Sequence, residues 1–207
     1  LGDVYKRQRV LLPGSARMLL LLFVIGTLVL IDKKVKKSFI EKYQYIEEHT
    51  IGISMEKEEI LKELIRHRYA HRGLHNKPTV PENSMVSFGR AVEEGFGIEL
   101  DIHLTKDNKL AVIHDSSLKR TCGIDLNIEE MKLSEAQIYF LEKSNETIPA
   151  FEDVLELVGG KVPLIIELKT AGKNYEALCS FVMKALRSYE GMYCIESFYP
   201  VSYTHLR

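Results

Sequence analysis

Between residues 68 and 200 short apolar runs alternate with helical patterns, and each run delivers an ionisable residue at its C-terminal end. No other feature constrains the fold as strongly. Tyr69-Ala70-His71 reads as a short strand closed by Arg72-Gly73, and Asn83-Ser84 opens a helix that carries Phe88, Ala91 and Val92 to Gly95. Residues 97–104 have strand character, a Lys106-Asp107-Asn108 turn follows, and residues 110–113 form a third strand before His114-Asp115. Asn127-Ile128-Glu129-Glu130 and Ser134-Glu135-Ala136-Gln137 suit helix starts with capping boxes. A helix over 151–158 is closed by Gly159-Gly160, an apolar buried strand spans 163–168, and a helix over 175–189 precedes a fifth strand at 193–197. Strand–helix alternation implies parallel strands joined by right-handed crossovers. Without a glycine-rich phosphate loop, the pattern fits an α/β TIM (β/α) barrel better than a dinucleotide fold, with only the first five or so β/α units present.

The strand ends carry the chemistry. His71-Arg72, Glu99 and Asp101, His114-Asp115, Glu167-Leu168-Lys169 and Glu196 all fall on one predicted rim, the catalytic rim of such a barrel. Glu99 and Asp101 stand two apart on a strand and share a face, while Ile98, Leu100 and Ile102 fill the other. Two neighbouring carboxylates repel unless a cation lies between them. Glu167 offers a third oxygen ligand, and an all-carboxylate set selects a hard ion, Mg²⁺ or Ca²⁺. His71 and His114 occupy adjacent strand ends, and histidine is a residue type able to serve as either the acid or the base that phosphodiester cleavage requires. Arg72 and Lys169 add positive charge suited to a phosphate. His103 reads as structural or as a rim residue, and Glu82-Asn83 as helix capping or as part of the site.

These segments resemble the glycerophosphodiester phosphodiesterases. The resemblance rests on His71-Arg72-Gly73, Pro81-Glu82-Asn83-Ser84, the run from Glu99 to Asp107, His114-Asp115 with Leu118-Lys119-Arg120, Ile148-Pro149, Glu167-Leu168-Lys169 and Glu196-Ser197-Phe198, in family order. One such motif is weak evidence; the ordered set is specific. The resemblance implies a TIM barrel with Glu99, Asp101 and Glu167 as metal ligands, His71 and His114 as the acid/base pair, and Arg72 and Lys169 as phosphate contacts. It implies hydrolysis of glycerophosphodiesters to glycerol 3-phosphate and an alcohol, in which the substrate's neighbouring hydroxyl attacks phosphorus and water opens the cyclic product. Lysophospholipase D or another phospholipid phosphodiesterase on the same barrel is the related alternative. A non-catalytic, membrane-anchored binding fragment is the alternative of another class, and it predicts loss of a ligand or a histidine, which is not seen.

The rest of the chain adds boundaries. A formal net charge of -1 over 207 residues gives no global basic field for nucleic acid. Cys122, Cys179 and Cys194 lack metal-finger spacing and suggest reduced thiols. Residues 18–31 are apolar and followed by Lys33, Lys34, Lys36 and Lys37, which predicts a single-pass membrane anchor with a cytoplasmic domain after it. A cleaved signal or a soluble helix are the rival readings, and the run is shorter than the roughly 20 residues of an ordinary span. Residues 32–67 read as a connector and a helix, and 68–200 as the partial barrel. The stretches 1–8 and 201–207 contain Asp-Val-Tyr-Lys-Arg-Gln and Val-Ser-Tyr-Thr-His-Leu, which are translations of the two strands of one DNA string, GATGTGTATAAGAGACAG. Both are expected to be adaptor-derived, with the natural gene running past Pro200 and this chain alone inactive.

Overall fold

The computed structural model describes residues 10–12, 19–21, 62–198 and 202. After a helical turn at 62–66, the strand β3 (Tyr69–His71) leads into helix α1 (Met85–Glu93). Strand β4 (Gly97–Leu104) and strand β5 (Leu110–Val112) follow. An irregular stretch holds α2 (Lys119–Cys122), a 3₁₀ turn (Ile128–Glu130) and α3 (Leu133–Ala136). The order closes with α4 (Phe151–Val158), β6 (Leu164–Leu168), α5 (Tyr175–Leu186) and β7 (Tyr193–Glu196). Strands β3, β4, β6 and β7 are parallel neighbours, as alternation with helices requires.

Two expectations change. The third strand is not a parallel barrel strand: β5 runs antiparallel to β4, pairing Ile102 with Val112 and Leu104 with Leu110. The Lys106-Asp107-Asn108 turn permits this, because Asn108 takes the left-handed conformation at φ 59°. A tight turn joins antiparallel strands and cannot make a parallel crossover. The apolar helix expected over 18–31 is extended where it is described. Leu19–Leu21 form β2, paired antiparallel with β1 (Val10–Leu12), which touches β7 at Leu11 and Ile195. The remainder of that segment, residues 32–61 and the tails other than Ser202 lie outside the described residues. Among the described residues no helix is long and apolar enough to cross a membrane.

The sheet has two distinct faces. Ala70, Ile98, Leu100, Ile102, Leu164, Ile166, Leu168, Tyr193 and Ile195 face a core shared with α1, α4 and α5. Phe88 and Phe151 are fully buried there, each worth roughly 1.5–3 kcal/mol on transfer from water. The residues between them in sequence, His71, Glu99, Asp101, Glu167 and Glu196, fall on the opposite face because side chains alternate along a strand. A smaller cluster, including Leu118, Ile128, Met131, Leu141 and Ile148, packs beneath the segment that follows β5. Ser84 caps α1: its hydroxyl accepts from the Ser87 N–H and its own N–H donates to the Ser87 hydroxyl, both at 3.2 Å.

Candidate active site

Register brings the acidic residues together. Asp101 pairs with Glu167, and Glu167 with Glu196, so one row across three parallel strands carries three carboxylates on the inner face. Glu99 lies two residues before Asp101, next to His71 of β3 in the same register. All four carboxylates are buried. Ligand oxygens of Glu99, Glu167 and Glu196 lie within 4.8 Å of one another.

The neighbours of each carboxylate set its electrostatics. Glu99 accepts the Arg72 backbone N–H at 2.9 Å and lies 3.9 Å from His71 Nε2. Burial, then the charge of Asp101, pushes its carboxyl well above the ordinary range. Asp101 is opposite in sense. Burial pushes it up, but Lys169 and the Asn83 amide outweigh that and hold it below its usual value. The Asn83 Nδ2 donates to Asp101 at 2.8 Å, Lys169 Nζ lies at 3.1 Å and Arg72 Nε at 3.4 Å. Lys169 also lies 2.8 Å from Glu167, yet burial and Asp101 still leave that carboxyl raised. Glu196 is pushed up to about 8 by burial and by Glu167.

The donors run short. Asp101 Oδ1, Glu167 Oε1 and Glu196 Oε2 are buried and accept no aligned hydrogen bond. Lys169 lies at ion-pair distance from the first two oxygens without hydrogen-bond alignment. Buried carboxylates gathered on one face, three of them with an oxygen that accepts no hydrogen bond, suit a hard divalent cation, whose charge relieves their mutual repulsion. The residues present therefore fit such an ion.

The histidines flank this floor. His71 sits at the end of β3, its basicity lowered by burial and then by Arg72. His114 arrives by the antiparallel hairpin. β4 runs on to Leu104, the chain turns, and β5 returns until the Ile113 N–H donates to the Asp101 carbonyl at 3.1 Å. The Asp115 carboxylate accepts from His114 Nδ1 at 2.6 Å, which leaves Nε2 as the available ring nitrogen. Arg72 adopts φ 57°, a conformation that costs a non-glycine residue roughly 1–2 kcal/mol. That strain turns its N–H to Glu99 and its guanidinium to Asp101 and to Glu82, the last at 3.0 Å. Gly73 beside it has φ 79°, and a Cβ there would clash with the Ser87 hydroxyl.

Residues 71–196 match the glycerophosphoryl diester phosphodiesterase family. The chain belongs to this family. It is 42% identical over 128 residues to a glycerophosphodiester phosphodiesterase of Caldanaerobacter subterraneus, across 58% of this chain and 52% of that protein. It is 31% identical over 122 residues to a lysophospholipase D of Rattus norvegicus, across 53% of this chain and 38% of that protein. Among solved structures it resembles an Oleispira antarctica phosphodiesterase in complex with the product sn-glycerol-3-phosphate. That likeness has TM-score 0.57 and 25% identity, and it covers 63% of this chain and 55% of the other. The chain thus spans about half the length, or less, of the curated relatives it matches.

Within this family chain, every residue read from the sequence as a site residue lies on the inner face or at its edge. The set is larger than that reading. Asn83 is not the helix cap; Ser84 is, and Asn83 at φ 51° turns its amide to Asp101. Glu82 is buried and ion-paired to Arg72, Lys77 and Arg120. His103 is buried, with Nδ1 2.6 Å from Glu129 and Nε2 3.0 Å from the His114 carbonyl, so it braces the segment that carries His114. A sequence signal existed for Asn83 and Glu82, which stand inside a family motif. For Glu129 there was none, since it meets His103 across 26 residues.

Proposed function

We propose that the complete protein is a metal-dependent phosphoric diester hydrolase that converts glycerophosphodiesters to glycerol 3-phosphate and an alcohol. The observation that carries this reading is the inner-face floor of buried, under-satisfied carboxylates between His71 and His114 in a chain of this family. Glu99, Asp101 and Glu167 would hold the ion, Mg²⁺ or Ca²⁺, which supplies positive charge against phosphoryl oxygens. Arg72 and Lys169 supply fixed positive charge at the same place.

The protein's own groups move the protons. One histidine takes the proton of the substrate hydroxyl as its oxygen bonds to phosphorus. The other gives a proton to the alcohol oxygen as its bond to phosphorus breaks. Water then opens the cyclic phosphate with the two roles exchanged. His114 suits this task because Asp115 holds Nδ1 and so aims the ring. Asn83 and Lys169 keep Asp101 ionised and in place.

A second reading, lysophospholipase D, is favoured by the rat relative. The two differ in whether the substrate keeps an acyl chain. The full-length protein, assayed with divalent cation for glycerol 3-phosphate release from glycerophosphodiesters and for lysophosphatidate from lysophospholipids, tests both. No release of either product would refute the hydrolase. This chain alone is expected to show no turnover, because a barrel closes only with its full set of strands.

A further inference from the structure

We infer that Glu196 is a fourth carboxylate ligand of the divalent-cation site, and that with it the site takes Ca²⁺ in preference to Mg²⁺. The inference rests on the metal site proposed above and adds a residue that neither the strand-end reading nor the family resemblance assigned to the ion.

Position is the first argument. Glu196 is the register partner of Glu167, which is itself the partner of Asp101. Adjacent strands lie roughly 4.7–4.9 Å apart, so carboxylates on one inner row reach a common point. One ligand oxygen of Glu196 lies within 4.8 Å of oxygens of both Glu99 and Glu167. Ligands on opposite sides of a calcium ion, bound at 2.3–2.6 Å, stand roughly 4.6–5.2 Å apart.

Unmet need is the second. Glu196 is 4% exposed, and its Oε2 is buried with no hydrogen-bond donor. Among the described residues no lysine, arginine or histidine forms an ion pair with it; Lys169 is spent on Asp101 and Glu167. A purely structural buried carboxyl would be expected to hold its partners nearby, since an unsatisfied buried polar atom costs about 1–3 kcal/mol. Four carboxylates set against the two cationic side chains Arg72 and Lys169 leave an excess of negative charge that matches one divalent ion.

Ion choice follows from ligand number. Ca²⁺ takes six to eight oxygens in flexible geometry, whereas Mg²⁺ keeps several waters and uses one or two carboxylates. A floor of four acidic side chains from three strands suits the former.

The test is calorimetric titration of the purified full-length protein with CaCl₂ and MgCl₂, alongside its Glu196→Gln and Glu196→Asp variants. The wild type should bind Ca²⁺ more tightly than Mg²⁺. Glu196→Gln should weaken Ca²⁺ about 100-fold, given that even outer-shell partners are worth roughly 10–100-fold, and weaken Mg²⁺ less. Its metal-free melting temperature should stay level, because the amide fills the same space, while the upward shift on adding Ca²⁺ shrinks. Glu196→Asp keeps the charge but retracts it, and should lie between; it carries the test if the glutamine variant does not fold. Unchanged Ca²⁺ affinity in both variants overturns the ligand role. Equal loss for both ions overturns the calcium preference. Failure of the wild type to bind either ion overturns the metal reading itself, and this inference with it.

Discussion

Two groups of buried carboxylates in this molecule are kept in opposite ways. Glu82 sits among three cations, Arg72, Lys77 and Arg120. Burial pushes its carboxyl up, but hydrogen bonds from Arg120 and Lys77 and the charge of Arg72 carry it well below the ordinary range. Glu99 and Glu196, on the inner face of the sheet, are pushed up by burial and by other carboxylates. Glu82 is thus complete within the protein. The floor is not, since buried oxygens of Asp101, Glu167 and Glu196 accept no hydrogen bond, and this is the basis of the proposed cation site. Arg72 belongs to both, with its guanidinium on Glu82 and Asp101 and its N–H on Glu99.

The sharpest way to break this contrast is to remove one carboxylate from each side. In the full-length protein, Asp101→Ala should lower turnover by about 1,000-fold or more, with some loss of stability because Lys169 and Asn83 lose their buried partner. Unchanged glycerol 3-phosphate release would refute the assignment of Asp101. Glu82→Gln should act on stability instead. It strands three cations beside a neutral amide, and loss of a buried pair costs about 3–5 kcal/mol. Because Arg120 and Lys77 are partly exposed and screened, about 2–3 kcal/mol is expected in urea unfolding. A loss below about 0.5 kcal/mol would show that Glu82 is not a structural hub.

Acid probes the same hub more gently. The folded-state pKa of Glu82 lies below its unfolded value, so its contribution is complete above about pH 4.3 and fades as pH falls toward the folded value. Asp115 behaves alike: burial raises it, but Arg120 and His114 hold it down. Unfolding free energy should therefore drop below about pH 4, with a shallower slope in Glu82→Gln. The same slope in both proteins would count against the assignment. The smallest effect belongs to a neutral contact: Ser84→Ala removes the cap of α1 and should cost about 1 kcal/mol by the same unfolding measurement. A cost equal to that of Glu82→Gln would mean that charge contributes nothing special there.

Much of the fold was legible because burial leaves a period in sequence. Ile98, Leu100 and Ile102 alternating with Glu99 and Asp101 assigned both faces of β4 before any contact was known. The helices over 85–93 and 151–158 announced themselves by Ser84 and by Gly159 at φ 53°. The direction of β5 was not legible. Residues 110–112 alternate in the same way whether they pair parallel or antiparallel, and only the short turn that closes on Thr105 and Lys109 decides. In the site, His71, His114, Arg72 and Lys169 were visible as strand-end residues, whereas the bond from Asn83 to Asp101 depends on one left-handed backbone angle.

The sequence by itself determined which groups are available and which side of each strand they occupy, because both follow from residue identity and the two-residue repeat. Tertiary structure alone decided which of them meet. Glu196 joins Glu167 through strand register, His114 reaches the floor because a hairpin folds back, and Glu82 gains its cations from three separate segments. Pairing and turn direction are set by long-range packing and hydrogen bonding, and those leave no local pattern to read.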